Sequence, residues 1–267
     1  MKYKIISLIA LLLPIILYDN SYAIKVDKYY DLPESVKTIT DITALEPYLN
    51  SENSQFRLWG IIRLGQIGSE DNINRLLDYY DKEKPQIEYG VDGPTPLIKY
   101  FALKAIGDIG GHSAESVAVN IAEHFHSIGT PESLQIFSCL CDVLGKIGTP
   151  NTLDRLQIFY NNHDFDWLSR KYALRNIILI DLKNARFKTA ADTTNYLIDF
   201  AKSNFSDDCR NRENFIITNA VSDVFYNINS QKIIGELSLA IDSMSDATVY
   251  KQHFVIIKEG MLLLLHK

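Results

Sequence analysis

One stretch of 14 residues limits what this chain can become: Gln55-Phe56-Arg57-Leu58-Trp59-Gly60-Ile61-Ile62-Arg63-Leu64-Gly65-Gln66-Ile67-Gly68. Its apolar residues recur at three- and four-residue spacings, the period of a helix. They cover more of the circumference than one buried stripe requires, so the helix must be packed between neighbours. Its ending, Leu64-Gly65-Gln66-Ile67-Gly68, returns as Ile106-Gly107-Asp108-Ile109-Gly110 and as Leu144-Gly145-Lys146-Ile147-Gly148. Gly65 is expected to let a neighbouring helix approach closely, and Gly68 to end the helix in the left-handed conformation. Recurrent helix–glycine–helix units predict an array of helices.

Taken in order, residues 24–50 read as a lead-in and leader helix. No stable element is expected from Asp27 to Glu34. One or two short helices follow within Ser35–Asn50, the second capped by Thr40 or Asp41. Residues 51–267 hold the array. After the first helix, Ser69 caps Asn72–Tyr80, which turns Ile73, Leu76, Leu77 and Tyr80 inward. The second unit runs Leu97–Ile109, turns at Gly110-Gly111 and continues from Ser113 to about His126. The third runs Glu132–Ile147 and continues to about Tyr160, with Thr149 as cap and Pro150 in the first turn.

A fourth unit starts near Trp167. Its Arg170-Lys171-Tyr172-Ala173-Leu174-Arg175 aligns with Lys99-Tyr100-Phe101-Ala102-Leu103-Lys104, and Ile178 and Asp181 stand where Gly107 and Gly110 stood. Its second helix is Ala190–Ser203. The fifth unit is Asn214–Ile228, a turn at Asn229-Ser230 with Asn229 replacing glycine as a left-handed cap, and a helix to about Ser243. Thr248–Leu265 closes the array as a C-terminal capping helix. The equivalent positions Gly65, Gly107, Gly145, Ile178 and Tyr226 fall at spacings that cover the range of two-helix repeats.

With these endings the chain resembles the HEAT-repeat family, in particular the short bacterial variant also found in phycobilin lyases. The first helix of that family reads valine-arginine, alanines, then leucine-glycine-x-isoleucine-glycine. Phe56-Arg57 with Leu64-Gly65-Gln66-Ile67-Gly68 matches it. So does Ile98-Lys99 with Ala102, Ala105 and Ile106-Gly107-Asp108-Ile109-Gly110. The third unit keeps only the ending, and the fourth and fifth keep mainly the hydrophobic spacing. The resemblance implies an all-α, right-handed superhelix of the HEAT/armadillo type with about five helix pairs. The family consists mostly of scaffolds and adaptors, so the expected function is a non-catalytic protein–protein interaction scaffold. Two other readings stay open: a lyase-like or otherwise catalytic helical-repeat protein that binds a small ligand, and a structural subunit of a cell-envelope complex.

Residues 1–23 have the three parts of a signal peptide: Lys2 and Lys4, the apolar run Ile5–Leu17, and a polar end with Ser21 and Ala23 at small-residue positions. Cleavage is expected after Ala23, giving an exported protein, periplasmic or extracellular. The apolar run is shorter than the roughly 20 residues a spanning helix needs and contains Pro14. No stable membrane insertion is therefore expected after cleavage. Losing two lysines and one aspartate takes the formal charge from −6 to −7. An acidic chain lacks the dense basic face that a nucleic-acid backbone requires.

No residue set carries a recognisable chemistry, so no catalytic residue, metal ligand or cofactor is expected. His124 and His126 flank Phe125 at a two-residue spacing, which points them to different sides of a helix. His163-Asp164-Phe165-Asp166 fits a turn capped by Asp164 or Asp166 better than a metal site. Ser113 and Ser133 lack a nucleophile-elbow context. Cys139, Cys141 and Cys209 are too few, and odd in number, for a disulfide framework. The remaining candidates are for partner binding. Tyr79, Tyr80, Phe159 and Tyr160 belong to aromatic residues near the ends of second helices, either a ladder open to a partner or packing between units. Tyr89 and Asp92 lie in Asp81–Pro96, a proline- and glycine-bearing loop long enough to be functional. Aspartates and glutamates beside the aromatic positions suit a basic or amphipathic protein or peptide segment.

Overall fold

Side chains write the helix starts. Asn53 Oδ1 accepts the Gln55 N–H at 2.8 Å, Asp166 Oδ1 accepts the Leu168 and Ser169 N–H groups at 2.7 and 3.0 Å, and Thr149 Oγ1 accepts the Thr152 N–H at 3.3 Å. Each satisfies donors that a helix N-terminus otherwise leaves unpaired. The computed structural model describes residues 31–82, 89–90, 93–94, 98–125, 131–205, 212–228, 230–245 and 249–265. Residues 1–30, Asp92, His126, Cys209 and Asn229 lie outside the described residues.

The leader consists of α1 (Glu34–Lys37), a 3-10 turn at Ile42–Leu45 capped by Asp41, and α2 (Glu46–Leu49). Five helix pairs follow: α3 (Ser54–Ile67) with α4 (Ile73–Lys82), α5 (Ile98–Ile109) with α6 (Gly111–Glu123), α7 (Pro131–Ile147) with α8 (Pro150–Asn161), α9 (Trp167–Ala185) with α10 (Ala190–Asn204), and α11 (Arg212–Asn227) with α12 (Gln231–Ser243). The last helix is α13 (Val249–Leu265). Among the described residues the fold is all-α apart from one two-residue antiparallel ladder in the stretch expected to be loop. There β1 (Tyr89–Gly90) pairs β2 (Gly93–Pro94), with Tyr89 opposite Pro94 and Gly90 opposite Gly93.

Alternate helices pack on one another: α3 on α5, α5 on α7, α7 on α9, α9 on α11 and α11 on α13. The first three steps share one register. A Cβ added to Gly65 would lie 2.6 Å from Ala105 Cβ, one on Gly107 would lie 2.6 Å from Val143 Cγ2, and one on Gly145 would lie 2.9 Å from Asn176 Cβ. Each contact residue stands two positions before the equivalent site of its own unit, Gly107, Gly145 and Ile178. A glycine therefore accepts the same point of the next unit each time.

One ending differs from the sequence expectation. Gly68 is extended (φ −73°, ψ 169°) rather than left-handed; the left-handed φ belongs to Gly110 (68°) and Gly148 (67°). Helix α9, whose unit has Asp181 where Gly110 stood, runs to Ala185, and Arg186 ends it at φ 50°, the one non-glycine residue with positive φ among those described.

Helix α9 is buried on two adjoining faces. Ala173, Ile177 and Ile180 belong to a core that reaches back to Leu32, while Leu174 and Ile178 belong to a second core that reaches forward to Met261. In the second layer, carboxylates clamp successive helix starts. Glu70 Oε2 accepts from the Ser113 N–H (3.1 Å) and hydroxyl (2.9 Å), and Glu115 Oε1 accepts from the Thr149 hydroxyl (2.7 Å) and Asn151 Nδ2 (3.1 Å). These bonds hold both carboxyls below their usual pKa.

Candidate functional site

The aromatic residues read as partner contacts are mostly structural. Phe159 is 3% exposed and Tyr80 7%, so neither is open to a partner. Phe159 sits in a knot with Phe137 (centroids 4.8 Å) and Phe165 (5.7 Å), and Phe125 joins it through Phe137 (5.2 Å). Burial pushes the Tyr80 phenol up to about 12, and the neighbouring Asp81 charge adds to this. Tyr79 donates its hydroxyl to the Leu49 carbonyl at 2.9 Å and so ties α4 to the leader. Of the alternatives weighed, packing between units describes Tyr80 and Phe159. Tyr89 enters the two-residue ladder, and Asp92 lies outside the described residues.

Tyr160 leads to a feature that the sequence did not announce, a charged seam along α9. The Arg170 guanidinium lies 5.3 Å from the Tyr160 ring centroid, donates through Nε to the Tyr160 carbonyl (2.7 Å), and meets both Glu213 carboxylate oxygens (2.7 and 2.9 Å). Burial raises the Tyr160 pKa, helped by the Glu213 charge. One residue on, Lys171 Nζ lies 2.9 Å from Asp223 Oδ2 and 4.7 Å from the Tyr172 ring centroid. Arg175 pairs with Asp142, whose Oδ1 also accepts from Asn176 Nδ2 at 2.9 Å. Burial opposes the Arg175 charge, yet Asp142 and Asp223 raise its pKa. The seam thus joins α7, α9 and α11. The repeat alignment sets Lys171 opposite Tyr100, a packing position, but nothing in the sequence points to its partners.

The other candidate groups are dispersed. His124 Nδ1 is 2.8 Å from the Asn120 carbonyl on an exposed helix end, and His163 Nδ1 is 3.9 Å from Glu213 Oε1. Among the described residues no three His, Cys, Asp or Glu side chains come within reach of one metal ion. Cys139 and Cys141 are buried thiols whose pKa burial raises, so they are not poised as nucleophiles. No described helix is long and apolar enough to cross a membrane.

One shallow recess is open to solvent. A recess of about 770 Å³ separates the N-terminal ends of α10 and α12, where the earlier second-layer helices are clamped by Glu70 and Glu115. Lys188, Ala190, Ala191, Lys232, Gly235 and Leu239 are among its lining residues. Leu239 is 67% exposed, the highest value among the exposed large hydrophobic residues. No known family profile matches this chain, and a comparison with functionally characterised proteins finds no significant match.

Proposed function

We propose that this chain is an exported, non-catalytic scaffold of the HEAT type, whose helix pairs stack into a right-handed superhelix and present an extended surface to a protein or peptide partner. The observation that supports this most is the constant register of the glycine contacts, Gly65 with Ala105, Gly107 with Val143 and Gly145 with Asn176. A unit that repeats one contact geometry grows along an axis instead of closing around a cavity. The interior ion pairs add support, since Arg170, Lys171 and Arg175 are used to join helices. The acidic balance, −6 over the whole chain, favours a protein partner over a nucleic acid.

Export rests on the n-region, apolar run and small-residue end of residues 1–23. Two measurements test the proposal. N-terminal sequencing of protein recovered outside the cytoplasm should begin at Ile24, and an intact Met1 would refute cleavage. Native mass spectrometry of gently purified protein should show a protein adduct in fixed ratio; a small-molecule adduct with turnover would replace the scaffold reading with an enzymatic one.

A further inference from the structure

Glycine inside a helix is unfavourable, and this fold accounts for each described helical glycine but one. Gly60 meets Leu49, Gly65 meets Ala105, Gly107 meets Val143, Gly145 meets Asn176 and Gly260 meets Tyr226. Gly235 lies within α12, and a Cβ there would have nothing within 4 Å. Intramolecular packing does not require it. Glycine is also used where another backbone must come close, and Gly235 lies in the recess between α10 and α12.

The chemistry around Gly235 is directional. Leu239, one turn along the same helix, exposes two thirds of its surface, and Ala190 and Ala191 on the facing helix leave the floor shallow. Lys188 and Lys232 line the recess together with one acid, Glu236, and Arg186 and Phe187 are exposed immediately before Lys188. Among the described residues Arg186, Lys188 and Lys232 have no ion-pair partner, in a chain whose formal charge is −6. This is a basic rim around an apolar spot on an acidic molecule.

We infer that the recess between α10 and α12 docks a segment of a partner protein in which acidic residues flank an apolar side chain. The apolar side chain rests on Leu239, the partner backbone passes over Gly235, and the carboxylates face Lys188 and Lys232. The inference rests on the scaffold reading and locates the contact on it. It differs from the basic partner expected for the acidic aromatic positions, because those are largely buried.

The test uses the full chain expressed in its own cells, with p-benzoylphenylalanine as photocrosslinker at Leu239 or, separately, at Ile158, which is 53% exposed on α8. Light should join the Leu239 position to a protein segment whose sequence places Asp or Glu around an apolar residue. Lys188→Glu with Lys232→Glu should cut that yield roughly fivefold or more. Gly235→Gln, which fills the recess with a good helix former, should cut it similarly while the melting temperature holds. A partner captured only from Ile158 overturns the recess and leaves the scaffold reading standing. Capture from neither position overturns both. Capture at Leu239 of a phospholipid, of a basic segment, or in a yield indifferent to the lysine substitutions overturns the inference.

Discussion

Lys171 Nζ on α9 lies 2.9 Å from Asp223 Oδ2 on α11, and the lysine side chain is only 3% exposed. The pair spans the point where the two apolar cores meet, so its loss takes a carboxylate away from a buried ammonium group. Asp223→Ala removes one partner of this buried ammonium group and should lower unfolding free energy by about 1–3 kcal/mol. Urea denaturation measures this. A loss within experimental error would show that the pair does not help to hold α9 on α11.

Two glycine substitutions should move stability in opposite directions. Gly107→Ala places a Cβ 2.6 Å from Val143 Cγ2, and should destabilise by about 1–3 kcal/mol through overpacking between α5 and α7. Gly235→Ala enters open space and should stabilise by roughly 0.5–1 kcal/mol through helix propensity alone. Thermal melts of the two variants test the pair; shifts of the same sign would contradict the packing described.

Arg186 holds a left-handed backbone at φ 50°, a conformation that costs an L-residue with a Cβ about 1–2 kcal/mol. Arg186→Gly removes that cost but adds freedom to the unfolded chain, so a net gain of about 0.5–1 kcal/mol is expected. Calorimetry reads it directly. A fall in melting temperature would show that the guanidinium contributes to the fold.

Acidification should loosen the C-terminal helix. His253 stacks on Phe205 with ring centroids 5.6 Å apart, its Nδ1 has no hydrogen-bond partner, and burial lowers its pKa below the usual 6.5. The unfolded chain therefore takes up a proton at a higher pH than the folded one. Stability is full above the unfolded pKa and declines as pH falls below about 6.5 toward the depressed folded value. His253→Phe should flatten this part of the pH–stability curve, while an unchanged slope would assign the dependence to other groups.

The sequence showed helix order and limits to within a few residues, because the apolar period and the glycine endings are local signals. Side-chain faces were less legible. Tyr80 and Phe159 carry the same periodic signal whether they point to a partner or to a neighbouring unit, and only packing distinguishes the two. The pairing of Lys171 and Arg175 was not legible because their partners, Asp223 and Asp142, come from other units. The end of α9 at Arg186 carries no sequence signal, because left-handed caps are recognised by glycine and this unit has none. The recess had no signal at all: Gly235 and Leu239 acquire meaning only through what fails to cover them.

The positive-φ residues Gly110, Gly148 and Arg186 at the ends of α5, α7 and α9 stand 38 residues apart in each step. Excising residues 111–148 would join Gly110 to Thr149 and bring Asn176, which now faces Gly145, opposite Gly107. Length in this chain is therefore modular. A lineage could shorten or extend it by one whole increment without re-inventing an interface, whereas a gain or loss of a few residues inside an increment would put every later contact out of phase.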